Sequence, residues 1–467
     1  MSDQSEPEGT SAATEPVPGR SLWAPPYRNF TVGLVLVVTL VAFEAMGVAT
    51  ALPTIASELD GQRWYSWAFT LFMASSAVGT VFAGRLSDRH GPALPLLLAL
   101  PLFATGLVVA GSAPNMPVLL GARALQGLGG GSVAVPLYVM IARVYPQRYR
   151  PRAFGIMSAA WVLPSLLGPA VSGVVTEQLH WRWVFLGLAP LVLLGAVLLG
   201  STVLRAGSGP EGEPAARRGL VLAGLGAGVA TVALNWSADH PSALSGVLGA
   251  LAVGSLWGSL RVLLPSGTLA ARPGIPVMVL ARGLLAGIFF TAEAFIPLVL
   301  TVVHGYSAAL AGIPLTVASL GWTAGSFWQA RQHRFNREHL VAAGFLLVVV
   351  GVFGVALAAP EWGADRAVFV FWSIGGAGMG LAISSTAVRV LGLSDPAERG
   401  FNSAALQISD MLGQALLVGF GGAVVNALAS TREPTAGVLV LAVGLIVTGS
   451  LGASLVARSR RIILDGR

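Results

Sequence analysis

From Phe30 onward the apolar positions of this chain gather into long runs separated by short polar segments, each run long enough for a helix to cross roughly 30 Å of hydrocarbon. Fourteen membrane-spanning helices are predicted, over 30–52, 65–84, 93–112, 117–141, 153–175, 183–204, 219–236, 243–263, 276–303, 308–330, 338–359, 367–391, 400–428 and 435–457. Residues 1–29, rich in Pro, Ser, Glu and Gly, lack the charged start, apolar core and small-residue cleavage site of a signal peptide. They read as a disordered cytoplasmic tail.

Composition agrees with a polytopic membrane protein: 54% of residues are hydrophobic, 10% are charged, and mean hydropathy is +0.75. There is no cysteine, which excludes disulfides and thiolate metal sites, and the six histidines include no pair at metal-ligand spacing. No metal and no cofactor are expected. All 28 basic residues are arginine, which we attribute to a GC-rich coding sequence. With both termini inside, 21 arginines fall on the cytoplasmic side and only Arg63, Arg182, Arg366 and Arg432 fall outside. The net charge of +7 is therefore a topology signal, giving no support to a nucleic-acid partner. A multi-pass protein of a plasma (bacterial inner) membrane is expected, with both termini cytoplasmic.

The chain also repeats itself. GTVFAGRLSDRHG from Gly79 aligns with GSFWQARQHRFNR from Gly325, and RAFGIMSAAWVLPSLLGPAVSG from Arg152 aligns with RGFNSAALQISDMLGQALLVGFGG from Arg399. The glycine clusters Gly127–Gly131 and Gly376–Gly380 keep nearly the same spacing. An even number of helices separates the copies, so the repeat is parallel, with its axis along the membrane normal. The expected organisation is a six-helix bundle over 30–204, a linker with two additional helices over 205–272, a second six-helix bundle over 273–457, and a cytoplasmic tail over 458–467. The two additional helices lack acidic residues within the membrane and are expected at the periphery.

Several motifs resemble those of the major facilitator superfamily, and more closely its fourteen-helix drug:proton antiporter branch. GRLSDRHG supplies Gly84, Leu86, Asp88, Arg89 and Gly91 of the family's loop signature, with Pro92 and Ala93 where basic residues are usual. RALQGLGGG matches the Arg-x-x-Gln-Gly pattern through Arg123, Gln126 and Gly127. LPSLLGPAVSG keeps Gly168, Pro169 and Gly173 of the antiporter signature, with Pro164 and Ser172 where glycines are common. EAMGVATALPTIA is similar to the branch's helix 1 motif, with Glu44 in place of the usual Asp. The resemblance implies an all-α integral membrane fold of two six-helix bundles, working by alternating access.

Physical readings of these motifs stand beside the family ones. Gly84 lets backbones approach, and Asp88, on a short cytoplasmic loop, can accept hydrogen bonds from the helix beginning near Gly400, helped by a cation such as Arg143. Arg89 and Gly91 complete that gating loop. Gly168 and Pro169 remove bulk and one backbone hydrogen bond, so helix 5 is expected to bend there.

Only three acidic residues sit deep within spans: Glu44, Glu293 and Asp410. An ionised carboxylate near the bilayer centre costs roughly 2.5 to 3.5 kcal/mol even on insertion scales, so each needs a reason. Glu44 and Glu293 occupy near-equivalent positions of the two halves and are expected to face a shared cavity. A carboxylate whose water access or cation contact changes between two conformations binds a proton in one and releases it in the other. Equally, the three acids can pair with Arg123, Arg282 or Arg389 and hold helices in register. Arg123 alone lies deep enough to be a central partner, since Arg282 and Arg389 can snorkel. Phe43, Gln126, Trp161, Phe290, Phe295 and Trp322 are candidate cavity residues.

No nucleophile triad, phosphate loop or metal cluster appears, which argues against an enzyme. The expected function is proton-coupled export of amphiphilic or cationic small molecules by a monomer. Lipid or natural-product export, and symport or uniport on the same fold, remain alternatives.

Overall fold

The computed structural model describes residues 22–205, 219–332, 335–395, 398–429 and 434–465. The first part of the expected tail and most of the linker after Arg205 lie outside them. Among the described residues are fourteen helical spans: α1 (Arg28–Glu58), α2 (Gln62–His90), α3 (Ala93–Gly111), α4 (Met116–Val144), α5 (Gln147–Gln178), α6 (Arg182–Leu204), α7 (Leu220–Asp239), α8 (Ala243–Leu263), α9 (Ile275–Val302), α10 (Ala308–Arg331), α11 (Arg337–Ala358), α12 (Ala367–Leu393), α13 (Arg399–Leu428) and α14 (Thr435–Ser459). An even number of spans brings both ends of the bundle's chain to one face, here called the terminal face; the opposite one is the far face.

Helix packing reproduces the repeat. α1 packs on α5 and α6 as α9 packs on α13 and α14; α2 packs on α4 as α10 packs on α12; α3 packs on α4 and α6 as α11 packs on α12 and α14. Glycine makes these approaches possible where a side chain has no room: Gly129 lies against the backbone of Phe103, and its counterpart Gly378 against the carbonyl of Gly344. α8 packs chiefly on α7, while α7 lies along the seam between the halves, against α2 and α13.

One local expectation is corrected, and one interruption is added. The segment carrying Asp88 is not a loop: α2 continues through Ser87, Asp88 and Arg89 to His90, because nothing in that stretch breaks a helix before Gly91, whose φ of +80° closes it. In α5 the helix is interrupted at Ala160–Trp161, ahead of Gly168–Pro169, which lie inside the helical segment Val162–Gln178. The cause is Pro164, whose missing N–H leaves the Ala160 carbonyl without its helical partner; the Thr39 hydroxyl donates to that carbonyl at 3.2 Å.

The halves meet through α2 with α13 and α5 with α10, and the contacts that seal this seam lie toward the far face. Tyr65 Oη donates to Ala294 O at 2.6 Å, Asn426 Nδ2 to Arg63 O at 2.8 Å, and the backbone N–H of Ala309 to Glu177 Oε1 at 2.6 Å. Gly173 lies against the Ala308–Ala309 backbone, and Gly312 against the Pro169 carbonyl and Thr50. About half-way down, Thr80 Oγ1 approaches Met411 Sδ at 3.6 Å. On the terminal face Asp88 is 44% exposed, and a side chain at Gly400 would meet no neighbouring atom. The described bundle is thus closed on the far face and opens toward the terminal one.

Candidate functional site: two carboxylates at equivalent depths

Glu44 lies 16 residues into α1 and Glu293 lies 18 into α9, so both stand roughly 24 to 27 Å from the terminal ends of their helices. They are 249 residues apart, and so are Arg123 of α4 and Trp372 of α12, as are the glycine clusters that follow them. The repeat thus sets one carboxylate opposite an arginine and its counterpart opposite an indole.

In the first half Glu44 is completely buried and forms an ion pair with Arg123 Nη1. That guanidinium also donates to Gln126 Oε1 at 2.7 Å and, through Nε, to Ala68 O at 3.1 Å, and it lies 4.2 Å from the Phe72 ring centre. Among the described residues Glu44 Oε2 and Gln126 Nε2 have no hydrogen-bond partner. The buried charge is compensated, and the site is closed.

In the second half Glu293 keeps 8% of its surface exposed and, among the described residues, has no cation within ion-pair distance. The Trp372 indole faces its carboxylate without closing a hydrogen bond of normal geometry. Beside it, Phe289 stacks on Trp372 with ring centres 4.6 Å apart and meets Trp322 edge-on at 5.8 Å, while Phe290 lies 6.3 Å from Trp322. α9, α10 and α12 therefore pack aromatic rings around a carboxylate without a counter-charge. Phe289 and Trp372 are buried, and Phe290 and Trp322 are the rings of this group that keep exposed surface for an apolar or cationic guest.

Asp410 is placed differently from the other two. Arg282 donates to its Oδ2 through Nε at 3.1 Å and Nη2 at 3.0 Å, and Gln414 donates to Oδ1 at 3.0 Å. Arg282 also donates to Ile383 O, which ties α9, α12 and α13 together. Arg282 pairs with Asp410 within the bundle and does not snorkel, whereas Arg389, near the terminal end of α12, has its Nε 2.7 Å from Oε1 of Glu338 in the first turn of α11.

Of the six expected cavity residues, Phe290, one turn before Glu293, and Trp322, which packs on Phe289 and Phe290, belong to this aromatic group. Phe43 is half-buried near Gly47 and Gly168, and Trp161 is 42% exposed at the break in α5. Gln126 and Phe295 line no open space: the first is sealed beside Arg123, and the second packs on Tyr65, ring centres 5.8 Å apart, within the closed seam. Among the gating residues, Asp88 lies 4.0 Å from Arg85, one turn back, and among the described residues accepts no hydrogen bond from the start of α13. Gly84 faces Val135 of α4, Arg143 ends α4 on the terminal face, and Pro169 meets Gly312 across the seam. Trp372 escaped the sequence reading, yet applying the 249-residue offset to Arg123 finds it. No group of His, Asp and Glu among the described residues has the arrangement of a metal site.

Fold and site together define a multi-pass membrane transporter built of two repeated six-helix bundles. The sequence pattern of the Major Facilitator Superfamily matches residues 34–416, and the chain belongs to that family, whose members are transporters and not enzymes. A protein of Mycobacterium tuberculosis strain H37Rv named a probable multidrug-efflux transporter is 28% identical over 449 residues, covering 91% of this chain and 94% of that one. The Acurin A biosynthesis cluster MFS-type transporter of Aspergillus aculeatus is 30% identical over 255 residues, which is 52% of this chain and 43% of that protein. This chain thus spans under half the length of the fungal relative and nearly all of the mycobacterial one. Among solved structures, a bacterial homologue of the lysosomal transporter Spinster, inward-facing and unoccupied, superposes with a TM-score of 0.66 at 16% identity, covering 95% of this chain and 99% of that one. A POT family transporter in complex with 5-aminolevulinic acid gives 0.68 at 15% identity, covering 92% and 96%. Both share the fold.

Proposed function

We propose that this chain exports amphiphilic or cationic small molecules across a plasma membrane in exchange for protons, with Glu293 carrying the coupled proton. The supporting observation is the contrast between the repeat-related acids. Glu44 has Arg123 beside it, whereas Glu293 has only aromatic rings and a small opening. Away from water, a carboxylate with no cation beside it is accommodated as the neutral acid, and one held by a guanidinium as the anion. A rocking motion that alternately opens Glu293 to water on each face loads and unloads a proton, and a cationic guest on the same aromatic rings competes with that proton. Glu44 and Arg123 then hold α1 to α4 while the halves move.

The arginine bias supports cytoplasmic termini, so the terminal face open here is the side from which an exporter takes its cargo. The mycobacterial relative's name agrees with drug efflux. Export of a natural product is the second reading, favoured by the relative from a biosynthesis cluster. Dye efflux from cells expressing the chain tests the class: efflux that stops on adding a protonophore is expected, and efflux indifferent to the proton gradient overturns the coupling.

A further inference from the structure

A groove of about 740 Å³ lies outside the repeated bundles, between α7 and α8 on one side and α2 and α4 on the other. Its walls are apolar, among them Leu71, Val78, Leu128 and Val232, and its one hydroxyl, Ser75, donates into its own helix at Leu71 O. Nothing in the walls asks for a polar ligand. The floor is set by small residues: Gly228 packs directly on Val78, and Gly224 on Val81 one turn nearer the terminal face. Above that crossing the helices part, and Trp67 and Trp236 stand in the gap.

The dimensions select the occupant. Along α2 the groove runs from Trp67 to Val78, about 16 Å at a helical rise of 1.5 Å per residue, which is half of a hydrocarbon core of roughly 30 Å. It is one leaflet deep. Its mouth has the polar and aromatic character of the membrane interface: Trp236 stacks on His240 with ring centres 4.8 Å apart, Trp64 lies 6.5 Å from the same imidazole, and Trp67 Nε1 donates to Asp239 Oδ2 at 2.7 Å. An apolar shaft one leaflet deep, ending in indoles and an imidazole, fits an amphiphile with its tail inward and its head at the rim.

We propose that this groove holds an acyl chain of a phospholipid from the far leaflet, with the head group beside Trp64 and His240. A tail gains little by leaving other tails for this groove, so retention comes from shape and from the rim. The position gives the lipid a consequence. α7 spans the seam, donating from Asn235 Nδ2 to Ala415 O at 2.9 Å, and Asp239 accepts from Trp67 of α2 and from Asn426 of α13. A tail wedged between α7 and the first half fills the space behind that bridge.

The test is native mass spectrometry of the full chain purified in mild detergent, with phosphatidylglycerol and phosphatidylethanolamine of defined tails added back. Ala124→Phe and Ala233→Phe each fill the groove, whereas Leu251→Phe adds the same ring on α8 at an outward position that is not part of it. One tightly held phospholipid per chain is expected in wild type and Leu251→Phe, with occupancy at least about fivefold lower in whichever groove variant keeps the wild-type unfolding temperature. Should both groove variants misfold, phospholipids brominated on the tail give the second readout on the folded wild type and Trp67→Phe: a drop in quenching is expected on removing Trp67. Equal lipid occupancy in all folded variants, equal quenching with and without Trp67, or loss of a second copy of the chain instead of a lipid overturns the proposal.

Discussion

The Glu177 carboxylate of α5 accepts the backbone N–H of Ala309, in the first turn of α10, so an anion of the first half sits on a helix N-terminus of the second. Helix dipole and unsatisfied N–H groups both favour a negative charge there. Together with Gly173 on the Ala308–Ala309 backbone, this contact closes the far face.

Glu177→Ala removes an interaction of about 0.3 to 1 kcal/mol present only when the far face is shut, which shifts a near-balanced equilibrium about two- to fivefold toward far-open. The chain has no cysteine, so spin labels at Leu179→Cys and Trp362→Cys meet no background thiol. A growing long-distance population in Glu177→Ala is expected. An unchanged distance distribution means that Glu177 is no latch.

Asp88 is expected to act reciprocally. In the far-closed bundle it stands exposed beside Arg85 and, among the described residues, accepts no hydrogen bond from the start of α13. When the terminal face closes, the two approach. Asp88→Asn therefore slows transport and enlarges the terminal-open population, read from labels at Arg89→Cys and Leu393→Cys. Collapse of transport with identical distances contradicts this role.

The reach of the sequence reading follows from what hydropathy and repetition encode. Fourteen spans were visible because a helix in lipid must be apolar over its whole length, and the equivalence of Glu44 and Glu293 was visible because the repeat preserves depth. Pairing between helices was not, because it depends on rotation about each helix axis: Asp410 turns to Arg282, and Glu338 to Arg389. The interruption of the α5 ladder at Ala160–Trp161 is hidden for a related reason. Pro164 and Pro169 look alike in sequence, and only the first sits where its freed carbonyl can find the Thr39 hydroxyl.

Removing one member of a buried ion pair leaves an uncompensated charge, typically at about 3 to 5 kcal/mol. Glu44→Leu and Arg123→Met are each expected to lower the unfolding temperature in detergent, and the double variant to recover part of the loss. Additive losses in the double variant contradict direct pairing.

A pH-dependent contact lies on the far face, where Tyr306 Oη donates to Asp365 Oδ2 at 2.6 Å. The phenol holds the Asp365 carboxyl below the usual carboxylate range, and the carboxylate pushes the Tyr306 hydroxyl up. A depressed carboxyl adds stability at pH values above the ordinary aspartate value, and that stability fades as pH falls through the lowered one. Both groups are well solvated, so the gain is at most about 1 kcal/mol. Tyr306→Phe should melt slightly lower than wild type at pH 7, with the gap shrinking below about pH 4. A gap independent of pH excludes the carboxylate as the partner that matters.

The assignment of the coupled proton to Glu293 is tested most directly by proton release in proteoliposomes, recorded with a pH-sensitive dye when substrate is added. Glu293→Gln is expected to bind substrate and fold as wild type does while releasing no substrate-evoked proton, because it keeps the size and most of the hydrogen bonding of the acid and cannot ionise. Proton release at the wild-type level from Glu293→Gln contradicts the assignment.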